Sequence, residues 1–415
     1  MLKQNKFISI ISIGGTALAI MMIMVIFVTD EVKNISISPE DNRDHTLYLR
    51  WERLKGADSP YDYGGLINYW AVKNYIYNLK TPQVVSAIIS DKGTPPVLIS
   101  NPDKLERTYT GIKRVDAAFW EIMSFDFSSG KPFTTADFDA GLKKAVISED
   151  MAKNLYGNVD AVGKTIEIDF VPYSIAGVVK NVSPVFEYAY SGVYIPYTSD
   201  PEFLQNLSNI TSWGVFNVLL LAQDKKDFTA IEEEVRSLER KFNAENPKYI
   251  LSFPGPYDHR SQLMSSDARQ DLNQSKAITR VGLILLLLLL IPSVNLLGFS
   301  ISRMKKRIEE IGVRKAFGAK NNTIMIQILY ENFITSLIGG IIGLVLSIMV
   351  VYWLKDWLLG VGEENTIPIF VVVSPVILAI VFIVTFLLNV LSAGLPAYKA
   401  SKMKVVDSLN RKNEL

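Results

Sequence analysis

Of 415 residues, 49% are hydrophobic and 20% charged, and the mean hydropathy of +0.20 points away from an ordinary soluble enzyme. Lys and Arg total 43 against 42 for Asp and Glu, so no global basic field exists to attract nucleic acid. The absence of Cys excludes disulfides, thiolate nucleophiles and iron–sulfur ligation, and with only His45 and His259 a multi-histidine metal site is excluded too.

The chain opens with Lys3 and Lys6 and then runs from Phe7 to Thr29, 23 residues without a charge. That is long enough for a helix to cross a hydrocarbon core of ~30 Å. It exceeds the apolar run of a secretory signal and lacks a small-x-small cleavage site before Asp30, so residues 1–29 read as a leader and a retained first span.

Residues 30–276 read as a large extracytoplasmic α+β domain. Its flanks at about 30–45 and 261–279 are polar and adjoin spans, and they are expected to prolong those helices outward as a stalk. Asp30, Glu31, Asp41 and Asp44 gather near His45, and a water-facing stalk accounts for them without a site. Ala145–Ile147 predicts a short buried strand, followed by Ser148 as N-cap and an acidic first turn for a helix through Leu155. Thr165–Phe170 alternates as a strand, Val171-Pro172-Tyr173 is expected to turn, and Ser174–Val179 to return as the second strand of a hairpin. Phe228–Phe242 repeats apolar residues at Ile231, Val235, Leu238 and Phe242, the spacing of an amphipathic helix laid on a sheet.

GNVDAVGKT, Gly157–Thr165, imitates a phosphate-binding loop. That loop needs G-x-x-x-x-G-K-[ST] between a strand and a helix; here the two glycines stand one residue too far apart, a helix precedes and a strand follows. A glycine-supported turn is the expected structure.

Three further charge-free runs follow: Val281–Ser302, Asn332–Leu354 and Asn365–Tyr398. They place a second span at 277–302, a cytoplasmic loop at 303–322, a third span at 323–354, a short external turn at 355–365 holding Glu363 and Glu364, a fourth span at 366–398 and a tail at 399–415. The leader, the 303–322 loop and the tail together carry a net charge of +10, leaving −9 for the rest. Positive charge marks the cytoplasmic side. Both termini and the loop are therefore expected inside, and four crossings return the chain to the side on which it began.

Gly15 with Ala19 in the first span, and Gly339 with Gly343 in the third, have the small-x-x-x-small spacing that lets helix backbones approach, within the chain or between subunits. Glu331, at the cytoplasmic edge of the third span, is expected either to be ion-paired or to snorkel toward water. The loop SRMKKRIEEIGVRKAFGAKNNTIMIQILYEN, Ser302–Asn332, adds to its basic charge an apolar stripe at Ile308, Ile311, Val313, Ala316 and Phe317, with Gly318 as a stop. Topology alone needs the charge but not the stripe. A membrane-surface helix and a docking helix for a protein partner fit equally well.

EIGVRKAFGA before the third span and LPAYKASKMKVVDSLN after the fourth resemble the FtsX-like permease domain of MacB-type ABC transporters. Val115–Val179 is similar to the MacB-like periplasmic core domain, and ISIGGTALAI resembles the opening of such permeases, while residues 180–275 match less. The resemblance implies a permease in the bacterial inner membrane that carries no cofactor itself. ATP and Mg would sit on a separate cytoplasmic ABC ATPase, since no nucleotide-binding domain is recognisable in the chain. Two permease chains, identical or paralogous, would pair in the bilayer, with contact expected at Gly15 or Gly343; a periplasmic adaptor or outer-membrane channel could join them. Glu310, Gly312, Arg314, Lys315, Phe317 and Gly318 would form the coupling helix, with Phe317 as apolar anchor and Arg314 and Lys315 as charged contacts. MacB-like efflux of drugs, peptides or lipophilic molecules leads, with lipoprotein release and cell-wall-hydrolase control behind it. A membrane-anchored sensor and an external hydrolase are the other classes weighed; the scarcity of His and the lack of a nucleophile motif count against the hydrolase.

Overall fold

The computed structural model describes residues 6–56, 62–90, 95–102, 107–265, 311–354 and 375–402, with scattered positions between 268 and 310. The chain divides into two units, one built on Asn34–Ala277 and the other on the segments that flank it.

Among the described residues, the unit on Asn34–Ala277 has strands β1 (Thr46–Leu49), β2 (Trp51–Gly56), β3 (Asp62–Leu66), β4 (Val84–Ile89), β5 (Val97–Ser100), β6 (Arg107–Thr110) and β7 (Ile112–Val115). These are followed by β8 (Phe127–Gly130), β9 (Lys144–Ser148), β10 (Thr165–Ile168), β11 (Val171–Val179), β12 (Val193–Pro196), β13 (Phe216–Leu221) and β14 (Tyr249–Ser252). One sheet runs β1-β13-β4-β7-β12-β9-β11-β10-β5-β6 with β8 on β11, and a small sheet runs β14-β2-β3. Among the described strands, β9–β11 and β7–β12 pair in parallel and the rest antiparallel.

The parallel pairing explains the unbroken apolar run of β9. Its Ala145, Val146 and Ile147 are fully buried because both faces of the sheet are covered. Ser148 then accepts from the Met151 N–H at 3.2 Å, Glu149 and Asp150 fill the first turn, and the helix Glu149–Tyr156 stops at Gly157, whose φ of +75° suits glycine.

The hairpin forms with its turn earlier than expected. Ile168 pairs with Val171, and Asp169 and Phe170 make the turn with φ of 48° and 66°. Two successive left-handed residues give the two-residue turn whose twist matches the strands. Val171-Pro172-Tyr173 is thus strand, and Pro172 sits opposite Glu167.

The helix Phe228–Glu245 buries Ile231, Val235 and Phe242 as its spacing predicts, and also Glu239, which accepts from the Phe253 N–H. Asn243 brackets β14 by accepting from Leu251 N and donating to Leu251 O at 2.7 and 2.9 Å.

The expected stalk is corrected on the first flank; of the second, 266–279 lies largely outside the described residues. The first helix, Lys6–Asn34, reaches only Asn34, and Asp41–His45 is a 3₁₀ turn leading into β1. Arg43 accounts for this: fully buried, it bonds Glu40 at 2.6 Å and the Ile35 carbonyl at 2.6 Å, while Glu40 accepts from Ala189 N. A buried charge pair is costly to open once one partner would be left alone, so the chain turns into the domain directly after the helix. On the other flank His259–Met264 is a short helix against β1, where Tyr48 and Tyr257 exchange backbone hydrogen bonds of 2.7 and 2.9 Å.

In the second unit, Ile13–Asn34 and Asn321–Trp353 are, among the described residues, the helices long and apolar enough to cross a membrane. Pro375–Lys402 forms a further helix across the fourth expected span. The second span, 277–302, and the turn 355–365 lie largely or wholly outside the described residues.

The Asn321–Trp353 helix is patterned inside out. Ser336, Gly339, Gly340, Gly343 and Ser347 are buried, whereas Ile341, Val345 and Met349 are exposed. Exposed Tyr330 and exposed Tyr352 and Trp353 stand 22 residues apart or more, roughly 33 Å along a helix, the spacing of the two aromatic belts of a bilayer. The glycines are occupied within the chain. A Cβ on Gly339 would lie 2.7 Å from Thr16 Cβ, and one on Gly343 would lie 2.6 Å from the Ala17 carbonyl oxygen. Gly339 and Gly343 therefore pack against the first helix of the same chain. Gly15 is half-buried on the same helix, and the Ala19 side chain is outside those described.

Candidate coupling surface

Residues 311–316 are helical, and the cap that ends them dictates a glycine. Gly318 N donates to the Lys315 carbonyl at 2.9 Å, Ala319 N to the Arg314 carbonyl at 3.1 Å, and Gly318 has a φ of +88°. This paired cap needs a left-handed residue at that place, which glycine adopts without penalty. Two residues later Lys320 leads into the Asn321–Trp353 helix.

The short helix is seated by one face. Ile311 is 9% exposed and joins Ile324, Ile328 and Ala397 in an apolar cluster, so it rests on the starts and ends of two long helices. Gly312 is buried beside it. The opposite face turns outward: Val313 is 46% exposed and Phe317, four residues on, is 88% exposed. Pairs at i and i+4 share a helix face. Val313 and Phe317 thus put apolar surface in water on this side of the helix.

Arg314, although exposed, is bonded within the chain. Its guanidinium donates to Glu310 Oε1 at 2.5 Å and to Gln327 Oε1 at 2.7 Å, and Gln327 Nε2 donates to Glu331 Oε1 at 3.0 Å. Of the six residues expected to form the coupling helix, Glu310 and Arg314 thus bond each other, Gly318 ends the helix, and Phe317 points away. Lys315 is half-buried. Glu331 has a hydrogen-bond donor at the membrane edge. Gln327 was absent from the expected set because nothing in a glutamine thirteen residues downstream signals that it meets Arg314; only the folding back of the short helix does.

The false phosphate loop has the expected turn. Gly163 has a φ of +80° and donates to the Ile175 carbonyl, while Lys164 bonds the Asp160 carbonyl and lies 4.9 Å from the Tyr156 ring centroid. A helix precedes and β10 follows, so the backbone N–H groups and the lysine are committed to the turn.

Two family models match this chain in succession: the MacB-like periplasmic core domain over residues 7–238 and the FtsX-like permease C-terminal domain over residues 282–405. The chain belongs to the MacB/FtsX-type ABC transporter permeases. Its relatives include an uncharacterised ABC transporter permease, YknZ of Bacillus subtilis, 24% identical over 73% of this chain and 70% of that protein. The macrolide export ATP-binding/permease protein MacB of Wolinella succinogenes is 24% identical over 80% of this chain but only 47% of its own length. Among solved structures, the extracellular domain of a YknZ transporter from Gram-positive bacteria superposes at a TM-score of 0.33 and 17% identity, covering 50% of this chain and 99% of that one. The permease match begins before the Asn321–Trp353 helix and includes the Ile311–Gly318 element, which places the capped helix inside the FtsX-like domain.

Proposed function

We propose that this permease transmits ATP-driven motion from a cytoplasmic ABC ATPase to its Asn34–Ala277 domain. The ATPase docks on the outward face of the short helix, and the exposed pair Val313 and Phe317 carries this reading. Four spans with both termini inside, and two permease chains paired in the bilayer, complete the arrangement; the charge asymmetry supports the orientation. The work is small-molecule export across the cell envelope, a reading supported by the macrolide and pyoverdine exporters among its relatives. Lipoprotein release and cell-wall-hydrolase control are the alternatives within the same mechanism. ATP and Mg belong to the ATPase, and this chain contributes docking and movement.

The test is co-purification of the cognate ATPase and its turnover with Phe317→Ala. Truncating a buried aromatic anchor costs about 2 kcal/mol, or roughly thirtyfold in affinity, so both should fall. If co-purification and turnover hold while lipid binding of the loop changes, the helix is a membrane-surface element instead.

A further inference from the structure

We propose that Arg314 is a positioning residue acting inside the permease: through Gln327 and Glu331 it fixes the seat of the short helix on the Asn321–Trp353 helix, so that Val313 and Phe317 present outward. The proposal rests on the docking reading above and reassigns Arg314 from partner contact to brace.

The geometry is a relay. One terminal guanidinium nitrogen holds Glu310 at 2.5 Å on the short helix, and the other holds the Gln327 carbonyl oxygen at 2.7 Å on the long helix. The Gln327 amide passes the link on to Glu331 at 3.0 Å, one turn nearer the membrane. A planar fork can serve two acceptors on two elements at once, whereas a lysine ammonium, a single point charge, does not hold their relative angle. The apolar half of the seat is Ile311 against Ile324, Ile328 and Ala397. That contact fixes where the helix rests, and the relay fixes its rotation about Ile311. Rotation matters because Val313 and Phe317, four residues apart, lie on one side of the short helix and its end. Glu331 carries the relay into the Asn321–Trp353 helix, so a push on the docking face reaches a spanning element through side chains as well as through the backbone at Gly318.

The experiment uses the full permease with its cognate ATPase and reads permease-stimulated ATP turnover, the amount of folded permease in the membrane, and ATPase co-purification. Arg314→Lys and Gln327→Ala should each lower stimulated turnover about two- to fivefold, as befits a half-exposed charge-assisted link, and the combined variant should be no worse than either alone. The exchange Gln327→Glu with Glu331→Gln keeps an acceptor for Arg314 and a donor beyond it, and should restore turnover to within twofold. If Arg314→Lys acts while Gln327→Ala does not, or if their effects multiply, Arg314 touches the partner and the proposal falls. It falls equally if turnover declines only in proportion to folded permease. Phe317→Ala runs alongside: no effect there overturns the docking reading and this proposal with it, whereas a normal Phe317 effect beside an inert Gln327→Ala overturns the proposal alone.

Discussion

Glu52 shows how a single buried side chain can set the pH response of the external domain. On β2 it is almost wholly buried, accepting from Asn68 N at 2.9 Å and Asn68 Nδ2 at 3.0 Å. Burial pushes its carboxyl from 4.5 up to about 8, against the opposing pull of the Asn68 N–H. Between those values the folded domain keeps a proton that the unfolded chain has released. The stabilising contribution is therefore fully present below pH 4.5 and is lost as pH rises toward 8, by at most about 1.4 kcal/mol per pH unit. The melting temperature of the detergent-solubilised permease should fall over this range, and Glu52→Gln should remove that part of the slope. An unchanged slope would show that Glu52 is not the group responsible. Glu52 has no local signal in the sequence, because an acid in WERLKG looks like the polar side of a strand until Asn68, sixteen residues on, meets it in the interior. Phe317, by contrast, was legible: an aromatic within a basic loop has no reason to be there unless something covers it.

At the scale of elements, legibility followed how local the deciding interaction is. The β9 strand and the Ser148-capped helix were readable because cap, first turn and apolar run lie within a few residues. The hairpin turn was misplaced because Pro172 is a strong turn signal, yet the left-handed pair Asp169 and Phe170 closes the loop first. The stalk was misread because Arg43 draws its partners from Ile35, Glu40 and, through Glu40, distant Ala189, a contact no local pattern announces. Helix packing gives a sharper prediction. Gly343→Leu should drive a side chain into the Ala17 carbonyl and Ile20, separating the first helix from the Asn321–Trp353 helix, at a cost of about 1–3 kcal/mol. The check is the melting temperature of the detergent-solubilised permease, which Gly343→Leu should lower. A melting temperature undiminished by Gly343→Leu would mean the glycine groove is not what holds the helices together.

The whole molecule combines an inside-out helix, a charge split of +10 against −9, and an outward aromatic on a capped helix. Each supports a different part of one machine: what faces lipid, which side is inside, and where force enters. The family membership is shared with its relatives, whereas the entry point of force is argued from this chain's own residues. Site-directed crosslinking in intact membranes tests it most directly. Ala316→Cys places a thiol beside Phe317 on the exposed side of the short helix while leaving the anchor in place, and Asp160→Cys places one in the external domain. With the cognate ATPase present, a photoactivatable crosslinker on the first should give an adduct with the ATPase, and on the second none. An adduct at Asp160→Cys, or none at Ala316→Cys in membranes that retain permease-stimulated ATP turnover, would contradict docking at this helix.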